Sequence, residues 1–519
     1  MVLSTRTRRS VPHRLASLVL PVFVLLAAVG VAAAQDSPDP VVLTLDDAIR
    51  LAKRHGPAFR ILANDEAAAD WRVREAYGLL LPQASAGAAL QYQGEGQPLV
   101  GSLSLRELGL DRIPATYSST YSFGLDYSFS PELLARLGEE RAQRRATIAN
   151  VEAAELRLRV DVTRQFLAAL GARDAVELAR RELESAAENE ALARARSRAG
   201  AGTELDVKQA EVERGRAEVA LLEAEHRART ERLKLMELLG VVLDDEVELH
   251  AELEVFAPDW TEEDLIAEAL ASHPELRSRR AAEAAGRAGE RAAKGAFLPT
   301  LSLSVNWSGY TRRIGSDEYL LANAHASARS ARSSCERMNL ISAGLSQLLP
   351  DHPVDCSIHD LTPSDEARIL AENDVFPFDF TRQPVMAQLR VSIPVFQGFA
   401  RRRRLEAARA AAEDAREERR AEELARRRSV AEAVLTLETA YRRTVLEERN
   451  AAAAAEQLRL ARQRYRLGAG TFLELSQAEA TKASADRDRL GAIYAFQEAL
   501  VALEAAVGRR LRPQAGSGQ

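Results

Sequence analysis

Four segments of the chain alternate apolar and polar side chains with a period of two. Residues 121–130 set Tyr121, Phe123, Leu125, Tyr127 and Phe129 against Ser122, Gly124, Asp126, Ser128 and Ser130. Residues 301–310 set Leu301, Leu303, Val305 and Trp307 against Ser302, Ser304, Asn306 and Ser308. Residues 385–393 oppose Val385, Ala387, Leu389, Val391 and Ile393 to Gln388, Arg390 and Ser392, and residues 84–93 oppose Ala84, Ala86, Ala88, Leu90 and Tyr92 to Ser85, Gly87, Gln91 and Gln93. This predicts four strands, each with one apolar and one wet face. The pattern fits the wall of a transmembrane barrel and equally a half-buried soluble sheet.

The remaining chain is patterned for helices. Thr44 to Asp47 and Thr261 to Asp264 are capping boxes. Pro57 and Pro274 stand where helices over 57–80 and 274–297 begin, and these end at Leu81-Pro82 and Leu298-Pro299, where strands start. Residues 132–198 hold no proline and only Gly138 and Gly171, which predicts a helix of about 100 Å, with 400–466 as its counterpart. A Gly-Ala-Gly turn follows each, then return helices over 203–239 and 471–507. A return helix stacked on the preceding short one spans about 90 Å, so one long helix can lie beside two short ones placed end to end. Ile493, Phe496, Leu500, Leu503 and Val507 form a coiled-coil seam. Ala478, Ala483 and Ala492 permit close packing, and charged residues on the other faces meet water.

The elements come twice. His55-Gly56-Pro57 and Leu81-Pro82 recur at one and the same offset as Ser272-His273-Pro274 and Leu298-Pro299, and Arg198 to Thr203 returns, at a larger offset, as Arg466 to Thr471. Repeats this long are duplicated domains, here 43–241 and 261–509. Between them lies a connecting segment, 242–260, in which 246–256 alternate and predict a small strand outside the membrane. The second copy carries a longer insert, 311–383, extracellular if the strands form a barrel. Residues 510–519 read as a disordered tail.

Composition adds the compartment. Of 519 residues, the first 34 form a secretory leader: Arg6, Arg8, Arg9 and Arg14, an apolar run from Leu18 to Val31, and Ala32-Ala33-Ala34 before Gln35. No later segment approaches about 20 continuous apolar residues. The first cysteine is Cys335, which excludes lipid attachment beside the cleavage site. A net charge of −6 does not favour nucleic acid. Export and aromatic-rich outer faces tilt the strands towards a membrane barrel. Four strands cannot close one, and an open edge is not tolerated in lipid, so several chains share the wall: twelve strands from a trimer or eight from a dimer.

The chain resembles the TolC-type outer membrane efflux protein family over about residues 43–509. Ser392-Ile393-Pro394-Val395-Phe396-Gln397-Gly398, followed by Arg401 to Arg404, is similar to the family's entry into its long helix. Tyr465 to Leu475, running into Gln477-Ala478, is similar to its hairpin tip. Copy one shows the tip more faintly in Gly200 to Ala210, and Pro131-Glu132-Leu133 departs from the entry pattern.

The resemblance implies a homotrimer with a twelve-stranded barrel in the outer membrane and a helical tunnel reaching into the periplasm. It implies a periplasmic aperture at Glu474, Gln477, Asp206 and Gln209, with tips Gly200, Gly202, Thr203, Gly468, Gly470 and Thr471 docking a periplasmic adaptor. An inner-membrane pump or ABC transporter would be the further partner. Residue types alone also allow Asp206 and Glu474 to be helix caps of Thr203 and Thr471, and a ring of Glu474 carboxylates would repel itself unless hydrated or bound to cations. Arg401 to Arg404 is either a solvated face or an anchor to phosphate headgroups of outer membrane lipid.

Cys335 and Cys356 in an oxidising compartment are expected to form a disulfide. The competing reading, a metal site with His352 and His359, fits no standard zinc spacing. No P-loop, dinucleotide pattern or nucleophile–base set stands out, so no enzyme activity and no cofactor are expected. The function expected is a passive export duct of a tripartite efflux or type I secretion system. The rivals are a heavy-metal cation channel and a secreted coiled-coil scaffold without a pore.

Overall fold

Threonine caps start each copy. Thr44 Oγ1 accepts from Asp47 N at 3.3 Å, and Thr261 Oγ1 from Asp264 N at 3.2 Å, so the chain enters two short helices at matched points. The computed structural model describes residues 42–96, 99–100, 103–104, 113–242, 247–343 and 353–512. The leader assigned to 1–34 lies outside the described residues.

Copy one runs β1 (Val42–Thr44), α1 (Leu45–His55), α2 (Pro57–Gly78), β2 (Gln83–Gln93), a small hairpin of β3 (Leu99–Val100) and β4 (Leu103–Ser104), β5 (Thr116–Phe129), α3 (Pro131–Arg198) and α4 (Glu204–Leu239). After β6 (Glu248–His250), copy two runs α5 (Glu262–Ser272), α6 (Pro274–Gly295), β7 (Thr300–Ile314), α7 (Asp317–Ala343), α8 (Pro363–Asn373), β8 (Thr381–Arg382), β9 (Met386–Ser392), α9 (Ala400–Arg466) and α10 (Phe472–Val507). β1 and β6 pair in parallel.

The long strands form one antiparallel sheet ordered β2-β5-β7-β9, with β8 also on β7. Its register aligns like with like. Phe129, Leu301 and Val391 make one row, Tyr127, Leu303 and Leu389 the next, and Leu125, Val305 and Ala387 a third beside Ala84. The other face carries Ser128, Ser302 and Arg390, then Asp126, Ser304 and Gln388. Each strand's alternation thus becomes one apolar and one polar surface. Among the described residues β2 pairs only with β5 and β9 only with β7, so each sheet edge keeps a row of ladder groups without a partner.

The helices repeat this order. α2 and α4 pack on α3, α3 packs on α6 and α10, and these pack on α9. Two short helices stack against each long one. Gly240 (φ 70°), which ends α4, abuts His55 and Pro57 at the start of α2, and Gly508 (φ 94°), which ends α10, abuts His273 and Pro274 at the start of α6. Each seam is alanine-rich with larger apolar anchors: Val162, Phe166, Leu170, Leu235 and Leu239 in copy one, Val430, Leu437, Phe496, Leu500, Leu503 and Val507 in copy two. An 18-residue window of α10 reaches a mean hydropathy of 1.4, apolar and long enough to cross a membrane, but half of that window is buried inside the fold.

Several expectations change. The strand expected from 121 begins at Thr116, because Thr116 to Thr120 pair with Ile314 to Tyr310. For the same reason the insert expected from 311 begins after Ile314. The fourth strand spans 386–392 rather than 385–393, and the strand expected in 246–256 is confined to 248–250, where β1 can pair with it. Part of the tail is packed: Leu511 is 4% exposed and donates its N–H to Glu504 Oε1 at 2.8 Å, and Arg510 pairs with Asp46. Residues 513–519 lie outside the described residues.

Candidate functional site: the helix-turn tips

The two tips are built by one rule. α3 closes with Gly200 at φ 74°, Ala201 N–H donating to Arg196 O at 2.8 Å; α9 closes with Gly468 at φ 77°, Ala469 N–H donating to Arg464 O at 2.9 Å. A left-handed residue at this place is the usual helix stop, and glycine takes it without strain. Thr203 and Thr471 then cap the return helices, accepting from Asp206 N at 3.1 Å and Glu474 N at 3.2 Å.

The copies differ in their carboxylates. Asp206 turns back to accept from Thr203 N at 3.0 Å, completing a reciprocal capping box. Glu474 makes no such return; its Oε2 lies 3.4 Å from Arg464 Nη1. The two acids sit at the same step of their helices but are held by different partners. Gln209 and Gln477, one turn on, are exposed.

An arginine joins the tips. Arg196 lies over the Tyr465 ring at 4.6 Å, donates to Tyr465 O, and donates from Nη2 to Ala201 O at 2.9 Å. Its counterpart Arg464 reaches Ala469 O at 3.3 Å. Tyr465 is buried with Ala193, Ala210, Leu458, Phe472, Leu475 and Ala478, and that burial pushes its phenol above the usual range. Tyr465 was expected only as the start of the tip motif, with no role of its own, and Arg196 was not expected at all. The available signal was that Arg196 and Arg464 occupy the same place in the two tips.

Above the tips α3, α4 and α10 enclose a groove of about 870 Å³. Glu479 on its wall accepts from Asn189 Nδ2 at 2.8 Å, Ser185 Oγ at 3.1 Å and Arg462 Nη2 at 2.7 Å, tying α3, α9 and α10 together. Glu182 is raised by burial, against the opposing pull of Arg487 at 2.9 Å. Glu479 is thus satisfied by three donors, whereas Glu182 keeps one carboxylate oxygen buried without a hydrogen-bond partner; among the described residues no cluster of three metal-ligating side chains occurs.

In the insert, Cys335 on α7 and Cys356 are joined by a disulfide with an S–S distance of 2.04 Å, so neither offers a thiolate to a metal. His352 lies outside the described residues. Asn373 at the end of α8 closes β7: its Oδ1 accepts from Ile314 N at 2.8 Å and its Nδ2 donates to Ile314 O at 2.9 Å.

Comparison with known proteins adds the following. The model of the outer membrane efflux protein family matches residues 48–241 and 368–509. Among solved structures, the fold is similar to that of CusC (TM-score 0.65, 16% identity, covering 90% of this chain and 92% of that one). It is similar to the Campylobacter jejuni CmeC outer membrane channel (0.66, 14%, 89% and 85%). It is also similar to the open state of the Neisseria gonorrhoeae MtrE outer membrane channel (0.62, 19%, 90% and 89%). No curated protein sequence matches.

Proposed function

The chain belongs to the outer membrane efflux protein family, and from that premise we propose that it is the outer membrane duct of a tripartite export machine, assembled from three copies. One observation carries the reading: the sheet and the helical layer are left open at the same two sides. β2 and the α2–α4 stack form one edge, and β9 and α9 form the other. On α4, Leu205, Val212 and Val219 recur every seven residues, exposed, opposite the buried Ala210, Leu235 and Leu239. On α9, Leu424, Leu435 and Leu446 recur every eleven, exposed, opposite Val430, Leu437 and Ala440. Apolar stripes on both outer edges suit a head-to-tail ring in which one copy's β9–α9 edge covers the next copy's β2–α2–α4 edge.

Such a ring closes the sheet, hides its edges and turns its apolar face to lipid. In it, Asp206, Gln209, Glu474 and Gln477 line the periplasmic aperture, and Gly200, Gly202, Thr203, Gly468, Gly470 and Thr471 meet the adaptor. The duct is passive, and an inner-membrane pump or ABC transporter supplies the energy. Native mass spectrometry of detergent-purified protein should give three chains, and the protein should conduct in planar bilayers. A well-folded trimer without conductance would sink the duct and leave a scaffold.

A further inference from the structure

The two copies leave the sheet differently. Copy one passes from Phe129 to the helix at Pro131 across Ser130 alone, whereas copy two takes the longer path from Ser392 to Ala400. That path exposes Val395 at 95%, Phe396 at 72% and Phe399 at 75%. The two phenylalanine rings meet edge to face at 5.5 Å. Gly398 and Phe399 both have left-handed backbone, φ 57° and 64°, a conformation in which a bulky side chain is strained. The strain goes with an aromatic side chain that points away from the fold.

Cations follow at once. Arg401 Nη1 donates to Pro394 O at 3.3 Å and braces the path. Arg402 lies 2.9 Å from Glu406. Arg403 and Arg404 are exposed and make no ion pair among the described residues. The strand register brings Gln83, Thr300 and Ser392 to the same end of the sheet. There Leu81, Phe297, Leu298 and Ile393 are exposed as well. An apolar rim therefore gives way to a cationic turn within one helical step.

We propose that this junction is a binding site for anionic phospholipid in the leaflet facing the periplasm. Val395, Phe396 and Phe399 enter the boundary between headgroups and acyl chains, and Arg402, Arg403 and Arg404 hold the phosphates. The charges are complementary, the apolar side chains lose their contact with water, and guanidinium suits phosphate geometry. The site rests on reading the sheet as a barrel wall.

The test uses the full chain in non-ionic micelles, titrated separately with phosphatidylglycerol, phosphatidylethanolamine and inorganic phosphate, with the thermal unfolding midpoint as readout. A lipid that binds only the folded state raises the midpoint with concentration. Phosphatidylglycerol should raise it by several degrees, phosphatidylethanolamine by less, and inorganic phosphate not at all. Arg402→Gln/Arg403→Gln/Arg404→Gln should lose most of the phosphatidylglycerol shift, as should Phe396→Ser/Phe399→Ser. Arg403→Gln/Arg404→Gln, which breaks no ion pair, serves if the triple variant misfolds. An undiminished shift in these arginine variants, or the same shift with inorganic phosphate, overturns the site. Conductance reads the duct separately: a conducting protein whose midpoint ignores phosphatidylglycerol keeps the duct and loses the lipid site.

Discussion

The ring of Tyr494 on α10 lies against the backbone of Gly171 on α3, so near that a Cβ built there would stand 3.2 Å from the ring's Cδ1. One turn further on, Asp174 Oδ2 accepts the Tyr494 hydroxyl at 2.6 Å, and burial with that hydrogen bond drives the phenol far above its ordinary range. The glycine is where the second copy's return helix closes on the first copy's long helix. Gly171→Ala gains about 1 kcal/mol of helix propensity but crowds a ring that is pinned at its hydroxyl, so the net change should lie within about 1 kcal/mol. Gly171→Val should cost about 2–4 kcal/mol. Thermal unfolding in detergent checks both, and a valine variant as stable as the parent would show that the close approach is not needed.

His273 makes the α10–α6 junction sensitive to pH. It is 1% exposed; Nε2 donates to Ala505 O at 3.0 Å and Nδ1 accepts from Glu275 N at 3.1 Å, a pattern only the neutral ring can make. Burial lowers its pKa, with Arg426 acting the same way and the Ala505 carbonyl, Glu275 and Glu422 opposing. The unfolded chain, titrating near 6.5, therefore binds the proton first, so this group's stabilisation is full above about pH 6.5 and is lost as pH falls towards the lower folded value. His273→Gln should remove that part of the slope. Unfolding midpoints of both proteins between about pH 8 and pH 5 test it, and parallel slopes would refute it. Copy one has Gly56 at this place and no titrating group.

Arg196 should govern how firmly the tips are held together. Its stacking on Tyr465 and its carbonyl hydrogen bonds lie at a partly solvated helix end, so Arg196→Gln should loosen the tips by about 1–2 kcal/mol without unfolding the chain. Faster amide exchange at 199–203 and 467–471, with the upper helices unchanged, is the expected signature. If the tips close the duct, resting conductance should rise as well.

Local physics made much of this fold legible. Threonine caps, Leu-Pro steps and period-two runs each act within a few residues, and duplication repeats the signal. What escaped depends on distant partners. Thr116 to Thr120 lack apolar alternation and become strand because β7 lies beside them. Leu511 is ordered by Glu504 one helix end away. At the tips the carboxylates were readable as caps or as aperture groups, but not that Asp206 would complete a box while Glu474 turned to Arg464. Arg196 needed Tyr465 from the other copy, a contact that exists only once the two tips pack side by side.

The edge stripes give the most direct test of assembly. Val212 on α4 and Leu435 on α9 are exposed in one chain and lie opposite their helices' buried faces, so an acid at either place costs the single chain little. Across a closed ring each would become an unpaired charge in an apolar seam, a penalty of several kcal/mol at every interface. Val212→Asp and Leu435→Asp should therefore keep the parent's helical signal by circular dichroism while native mass spectrometry shows single chains. Glu218→Gln, on another face of α4, should assemble as the parent does. Trimers undiminished by either acid would place the seam elsewhere on the chain.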